Sequence, residues 1–199
     1  TIDLLRNLFN YKLDNYLPII YKKKKIGWIN KKYKNFLKSL SLNTDLIEIQ
    51  NLLPKLKKNS KFANIIIKNE EICPVFNFNS LKPKLDFCHK RPFGINNIFE
   101  IDRKLLSILG LPQYGIHGNA WSLKKNRVIF HFAKRSKKLD DFPGYFDNLF
   151  AGGQPVGISI LDNLKKEAFE EAGIQKILKK NLVKGSTVNY FHEHQDKIH

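Results

Sequence analysis

The sequence predicts an α/β (α+β) chain built in two parts. Three observations carry that expectation. Apolar residues recur at helical spacing in short stretches of the first half, strand-like runs flank a polar turn soon after Gly110, and a glycine-rich loop then leads into an amphipathic helix. Of the 199 residues, 42% are hydrophobic and 12% aromatic, with mean hydropathy −0.37. Such a soluble chain is long enough to bury a sizeable core, and its Ile, Leu and Phe content excludes intrinsic disorder. No apolar run approaches the roughly 20 residues that cross a bilayer. Cys73 and Cys88 are too few for a disulfide framework, which fits a reduced, cytoplasmic setting. The chain opens at Thr1, contains no Met and stops at His199 directly after a strand-like stretch, so a fragment is expected and a removed targeting segment stays open.

Taken in order, Ile2, Leu5, Leu8 and Phe9 predict a helix over Ile2–Tyr16. Leu17–Tyr21 and Ile26–Ile29 read as a hairpin around the lysine run Lys22–Lys25. Tyr33, Phe36, Leu37 and Leu40 predict a second helix, mixed segments follow to about Lys90, and Asp102–Leu109 is a short helix stopped by Gly110 and Pro112. The texture then changes, which sets a domain boundary near Gly110: residues 1–109 form an α+β domain and 110–199 a second domain. In the second, 115–121 and 127–133 read as strands joined by the turn Leu123–Asn126. Phe142–Asp147 is a loop, Leu149–Ala151 a short strand, and Gly152-Gly153 a break.

The formal charge is +17, and 30 of the 35 basic residues are Lys. Residues 1–110 carry net +12 (21 basic, 9 acidic), and residues 111–199 net +5 (14 basic, 9 acidic). That balance attracts phosphorylated ligands and loose nucleic-acid contact without establishing a nucleic-acid binder. The run Lys22–Lys25 is read as a solvated turn.

Chemistry concentrates in residues 152–174. Ser159 is the expected N-cap, with Asp162 three residues on; the helix runs from about Ile160 to Ala172, and Gly173 stops it. Leu161, Leu164, Ala168 and Ala172 form its expected core face. Glu167, Glu170 and Glu171 stand at i, i+3 and i+4 and share one arc of about 100° beside that stripe. Each like-charge pair at this spacing costs about 0.2–0.5 kcal/mol, and the C-terminal dipole adds ~0.3–1 kcal/mol. Two accounts stand: a solvated acidic face, or a site where a hard divalent cation such as Mg²⁺, with Mn²⁺ as the alternative, offsets the repulsion. Lys165 and Lys166 are not expected to break up the cluster.

Residues 152–174 resemble the Nudix box, a glycine followed by a loop and a helix ending Arg-Glu-x-x-Glu-Glu-x-Gly-hydrophobe. Here the ending is Lys166-Glu167-Ala168-Phe169-Glu170-Glu171-Ala172-Gly173-Ile174, with Gly152 at the matching distance. Further segments (Tyr114–Asn119, Ala133–Lys137, Phe142–Gly144 and Asp147–Gly153) resemble the branch related to thiamine pyrophosphokinase, which carries an N-terminal DUF4743 domain. Pro18–Tyr21 with Gly27-Trp28 resembles that domain's opening. The resemblance implies a Nudix α/β/α sandwich, truncated at the C-terminus and preceded by a small α+β domain. It also implies Mg²⁺-dependent hydrolysis of a small-molecule diphosphate, with thiamine diphosphate or its oxidised analogues cut to the monophosphate as the leading substrate. Oxidised purine nucleoside diphosphates (8-oxo-dGDP type) are the alternative.

On this reading Glu167, Glu170 and Glu171 hold the metal, Glu170 is the candidate base, and Gly152 and Gly153 let the backbone approach the substrate. Arg135 is either a bidentate phosphate clamp or an exposed strand-end cation. Two departures stand out: Ile158 replaces the box Glu and Lys166 the box Arg, side chains that in the family brace the loop against the helix. The different-class alternative is a non-catalytic Nudix-like sensor or RNA-binding module. His192 and His194 share a strand face without a third ligand nearby and are read as surface residues. His117 and His131 are read as satisfied polar residues, and the cysteines as small buried hydrophobes.

Overall fold

The structure, a computed structural model, describes residues 13–60, 71–75, 97–139, 142–188, 191, 193–194 and 197–198. The first hairpin forms where two apolar runs flank the lysines. β1 (Tyr16–Tyr21) pairs antiparallel with β2 (Lys24–Asn30) across Lys22 and Lys23, both at positive φ (46° and 65°). Two left-handed residues in succession are what a two-residue hairpin turn demands. β3 (Ile47–Glu48) joins β1 in parallel, which makes β1 central in the order β2-β1-β3. Around this sheet lie α1 (Lys34–Ser39), α2 (Ile49–Lys58), the antiparallel pair β4 (Ile72–Val75) and β5 (Phe99–Asp102), and α3 (Arg103–Ile108). Their apolar faces merge in one core, where Ile19, Ile26, Leu37, Leu52, Leu105 and Leu109 are fully enclosed.

Some sequence expectations shift here. Of the helix expected over Ile2–Tyr16, residues 1–12 lie outside the described ones. Leu13–Asn15 make a 3₁₀ turn, and Tyr16 already opens β1, because its backbone pairs with Asn30. The expected helix at Asp102 begins one residue later. Asp102 caps α3 instead, its Oδ1 accepting a hydrogen bond from Lys104 N at 2.9 Å. Cys88 and His192 also lie outside the described residues.

The described residues of Thr1–Lys82, Asn96–Gln113 and Thr187–His199 pack as one compact unit, and those of Tyr114–Ser186 as another. In the first, β12 (Glu193–His194) pairs with β13 (Lys197–Ile198), and the Tyr16 hydroxyl donates to Glu193 Oε1 at 2.7 Å.

In the second unit the expected strand 115–121 is two strands. β6 (Gly115–Gly118) pairs with β11 (Phe150–Gly153), while β7 (Ala120–Lys124) pairs with β8 (Arg127–His131). Asn119 separates them, its side-chain oxygen accepting from Asn148 Nδ2 at 2.5 Å. Gly152 and Gly153 are not a break: they end β11, opposite Ile116 and Gly115. Within the expected loop 142–147, β10 (Phe146–Asp147) pairs with β9 (Ala133–Lys134). α4 (Ile160–Ala172) then packs on β11 and β6 through Ile160, Ala168 and Leu164, against Ile116 and Phe150. Helices and small sheets together make the α/β class that the sequence predicts. Among the described residues no helix is long and apolar enough to cross a membrane.

Candidate active site

α4 has the length its sequence predicts because both ends are capped locally. The Ser159 hydroxyl accepts from Asp162 N at 3.0 Å and donates to Asp162 Oδ2 at 2.6 Å. At the other end Gly173 takes φ +65°, a conformation costly for a residue with a Cβ, and its N–H reaches the Phe169 carbonyl at 3.0 Å.

The buried stripe of this helix differs from the expected one. Its deepest residues are Ile160, Asn163, Glu167 and Ala168, so two polar side chains lie on the face toward β6 and β11, while Leu161 is only partly covered. Asn163 is fully buried. Its Nδ2 donates to the Gly153 carbonyl at 2.8 Å and to Gln154 Oε1 at 3.2 Å, and Gln154 Nε2 donates to the Ile158 carbonyl at 3.1 Å. Gln154 N also donates to the Tyr114 carbonyl at 2.8 Å. This chain of amides ties the loop after β11 to the helix, the task that the resemblance assigns to positions 158 and 166.

Glu167 is 7% exposed and stands over Gly152. A Cβ built on Gly152 would fall inside the Glu167 carboxylate, so only glycine lets strand and acid meet this closely. Glu171 is spent differently, its Oε2 accepting from Ala151 N at 2.8 Å. Glu170 has a side chain 54% exposed.

Lys166 departs from the sequence expectation. Its ammonium donates to Glu167 Oε1 at 3.0 Å and pairs with Glu170 Oε2 at 3.4 Å, so it does divide the acidic trio. Lys165 turns instead to Asp162 at 3.4 Å. The Lys166 pKa is raised, first by the hydrogen bond to Glu167, against an opposing effect of burial, and further by the charges of Glu167 and Glu170.

The donor set suits a hard divalent cation in its chemistry: three carboxylates on one arc of a helix, one of them buried against a strand that glycine leaves open. With Lys166 in place they do not converge. Among the described residues no three His, Cys, Asp or Glu side chains are arranged to hold a metal ion.

Arg135, at the end of β9, gives its Nη1 to Asp147 Oδ2 at 2.7 Å, an ion pair that reinforces the β9–β10 pairing. His117 Nδ1 lies 2.8 Å from Asn148 Oδ1, and His131 Nε2 lies 3.0 Å from Ser122 Oγ, so one nitrogen of each ring has a polar partner. Cys73 is buried, and its thiol is pushed up to about 11, chiefly by burial, then by Glu71 against Arg103 and with Asp102 adding to it.

Gln154 and Asn163 escaped the sequence reading, which had no signal to separate them from ordinary loop and helix residues. Lys166 did carry one, since Lys166 and Glu170 stand at i and i+4.

No family model matches the chain. It is 30% identical over 188 residues to Nudix hydrolase 24, chloroplastic, of Arabidopsis thaliana, which covers 90% of this chain and 50% of that protein. It is 27% identical over 195 residues to Nudix hydrolase 20, chloroplastic, of the same plant, again 90% and 50%. An uncharacterized protein of Saccharomyces cerevisiae is 31% identical over 107 residues, covering 52% of this chain and 30% of the yeast protein. The chain thus spans about half the length of the two plant relatives.

Proposed function

We propose, from similarity to named Nudix hydrolases across nine-tenths of the chain, a place in the Nudix superfamily and hydrolysis of a phosphorus anhydride in a small diphosphate. The observation that carries this reading is the face of α4, where Glu167 is buried against Gly152 and Glu170 and Glu171 follow within one turn.

Glu167, Glu170 and Glu171 are the proposed holders of Mg²⁺ or Mn²⁺. When bound, the ion supplies charge neutralisation at the diphosphate oxygens and a more acidic attacking water. Glu170, exposed where Glu167 is buried, is the proposed base that takes the proton from that water. Gly152 and Gly153 are the proposed points of backbone approach to a diphosphate, the space that a Gly152 side chain would fill being taken by the Glu167 carboxylate. Arg135 is the proposed phosphate contact, and there its guanidinium would be shared with Asp147.

Within this class the leading substrate is thiamine diphosphate or an oxidised analogue, cut to the monophosphate, on the strength of the segments flanking the box. Oxidised purine nucleoside diphosphates are the alternative. The proposed domains are 1–109 and 110–199; within the latter, residues 110–113 and the described residues of Thr187–His199 pack with the first compact unit. A cytoplasmic location is proposed for this chain; the chloroplastic designation belongs to its plant relatives.

A second reading is a non-catalytic sensor or RNA-binding module, favoured by the charge of +17 and by Ile158 at the position of the box Glu. A panel of thiamine and purine diphosphates, tested on the full-length protein with Mg²⁺ and with a chelator, separates the two. Phosphate release that the chelator stops, and that Glu170→Gln lowers by about 100-fold with the fold intact, is the expected result. No turnover across the panel, together with tight, salt-dependent RNA binding, would reverse the assignment.

A further inference from the structure

We infer that Lys166 is a resident counter-ion, an ammonium that holds the acidic face of α4 together until a divalent cation displaces it. This rests on the proposed metal reading and goes beyond it by assigning a residue that opposes metal entry. The placement is specific. Glu167 is enclosed against Gly152, where an uncompensated carboxylate is costly, and the side chain donating to its Oε1 is Lys166 at 3.0 Å.

Glu170 is one turn further along the same face, and the same Nζ lies 3.4 Å from its Oε2. One monovalent cation therefore sits between two of the three carboxylates that a divalent ion would use, while the third, Glu171, is held by Ala151 N at 2.8 Å. That arrangement accounts for the lack of a converged three-ligand group among the described residues in a helix whose spacing favours one. Position 158 offers Lys166 no competing carboxylate, because Ile158 stands there. Lys165 does not share the role, being turned to Asp162.

A divalent cation binding to Glu167 and Glu170 competes with Lys166 for these carboxylates and has a positive charge beside it. Removing that charge strengthens metal binding, whereas keeping it as arginine does not.

The test measures Mn²⁺ binding to the full-length protein by calorimetry and by the electron paramagnetic resonance signal of free Mn²⁺. Lys166→Gln is expected to bind Mn²⁺ about three- to tenfold more tightly than wild type and to melt at a lower temperature without metal, with Lys166→Arg no tighter than wild type. A purely packing role for Lys166 would lower the melting temperature and leave Mn²⁺ affinity unmoved.

A second measurement needs no variant. Acylation of Lys166 by an amine-reactive ester, mapped by mass spectrometry, should rise on adding Mn²⁺ while Lys165 stays constant. Wild type that binds Mn²⁺ with Lys166→Gln unchanged or weaker, or with Lys166 acylation unchanged, overturns the counter-ion role and leaves the metal site standing. Absence of Mn²⁺ binding in wild type and both variants overturns the metal reading itself, and the inference with it.

Discussion

Gly152 shows how far one missing carbon reaches. Its hydrogen lies where a methyl would strike the Glu167 carboxylate, so the closest approach of strand and acid depends on that residue. Gly152→Ala should push Glu167 away and cost about 1–3 kcal/mol by overpacking, checked by urea denaturation, with the proposed hydrolysis falling in parallel. Cys73 gives a residue-scale prediction of another kind. Its thiol, raised from 9.0 to about 11, stays neutral in the fold after the unfolded chain has begun to ionise. The resulting stability is complete below pH 9 and is lost as pH rises through about 11, a loss on the order of 2 kcal/mol. Denaturation midpoints at pH 8 and pH 10.5 should diverge in wild type and diverge less in Cys73→Ala.

At the scale of the element, α4 is held by local and distant bonds that can be separated. Ser159→Ala removes the N-cap and should cost about 1 kcal/mol without disturbing Glu167, as read by thermal unfolding. Asn163→Ala cuts the amide chain to Gly153 and Gln154 and takes a donor from the part-buried Gly153 carbonyl. Its cost should reach about 1–3 kcal/mol, with faster amide exchange over residues 153–159 as the distinguishing measurement. Asn163 and Gln154 brace the loop, so the side chains at positions 158 and 166 take no part in that contact.

For the molecule as a whole, the charge of +17 has kinetic consequences for the proposed diphosphate substrate. Raising ionic strength from about 0.05 to about 0.3 M should lower kcat/KM for a diphosphate several-fold with little change in kcat, because screening weakens steering and not the chemical step. Stopped-flow or steady-state rates across that range check it. Hydrophobic burial is distributed unequally between the two units. The first encloses a large aliphatic core, whereas among the described residues of the second the buried apolar cluster is Ile116, Phe150, Ile160 and Ala168. On the β7–β8 hairpin, Trp121 faces Phe130 across the register with both rings more than half exposed.

The limits of α4 were legible in the sequence, as were the shared arc of Glu167, Glu170 and Glu171 and the first hairpin. Each rests on contacts within a few residues: a capping serine, a glycine at positive φ, a helical period, apolar runs either side of a turn. Tertiary structure alone decided that Glu167 belongs to the buried stripe, that Asn163 and Gln154 bind the loop, and that Arg135 is held by Asp147. It also split 115–121 between two partners, β11 and β8. These depend on which distant backbone arrives opposite each side chain, and residue spacing carries no information about that. Lys166 stands between the two cases: its reach to Glu170 follows from helical geometry, whereas its contact with Glu167 joins it to an acid that the fold buries against Gly152.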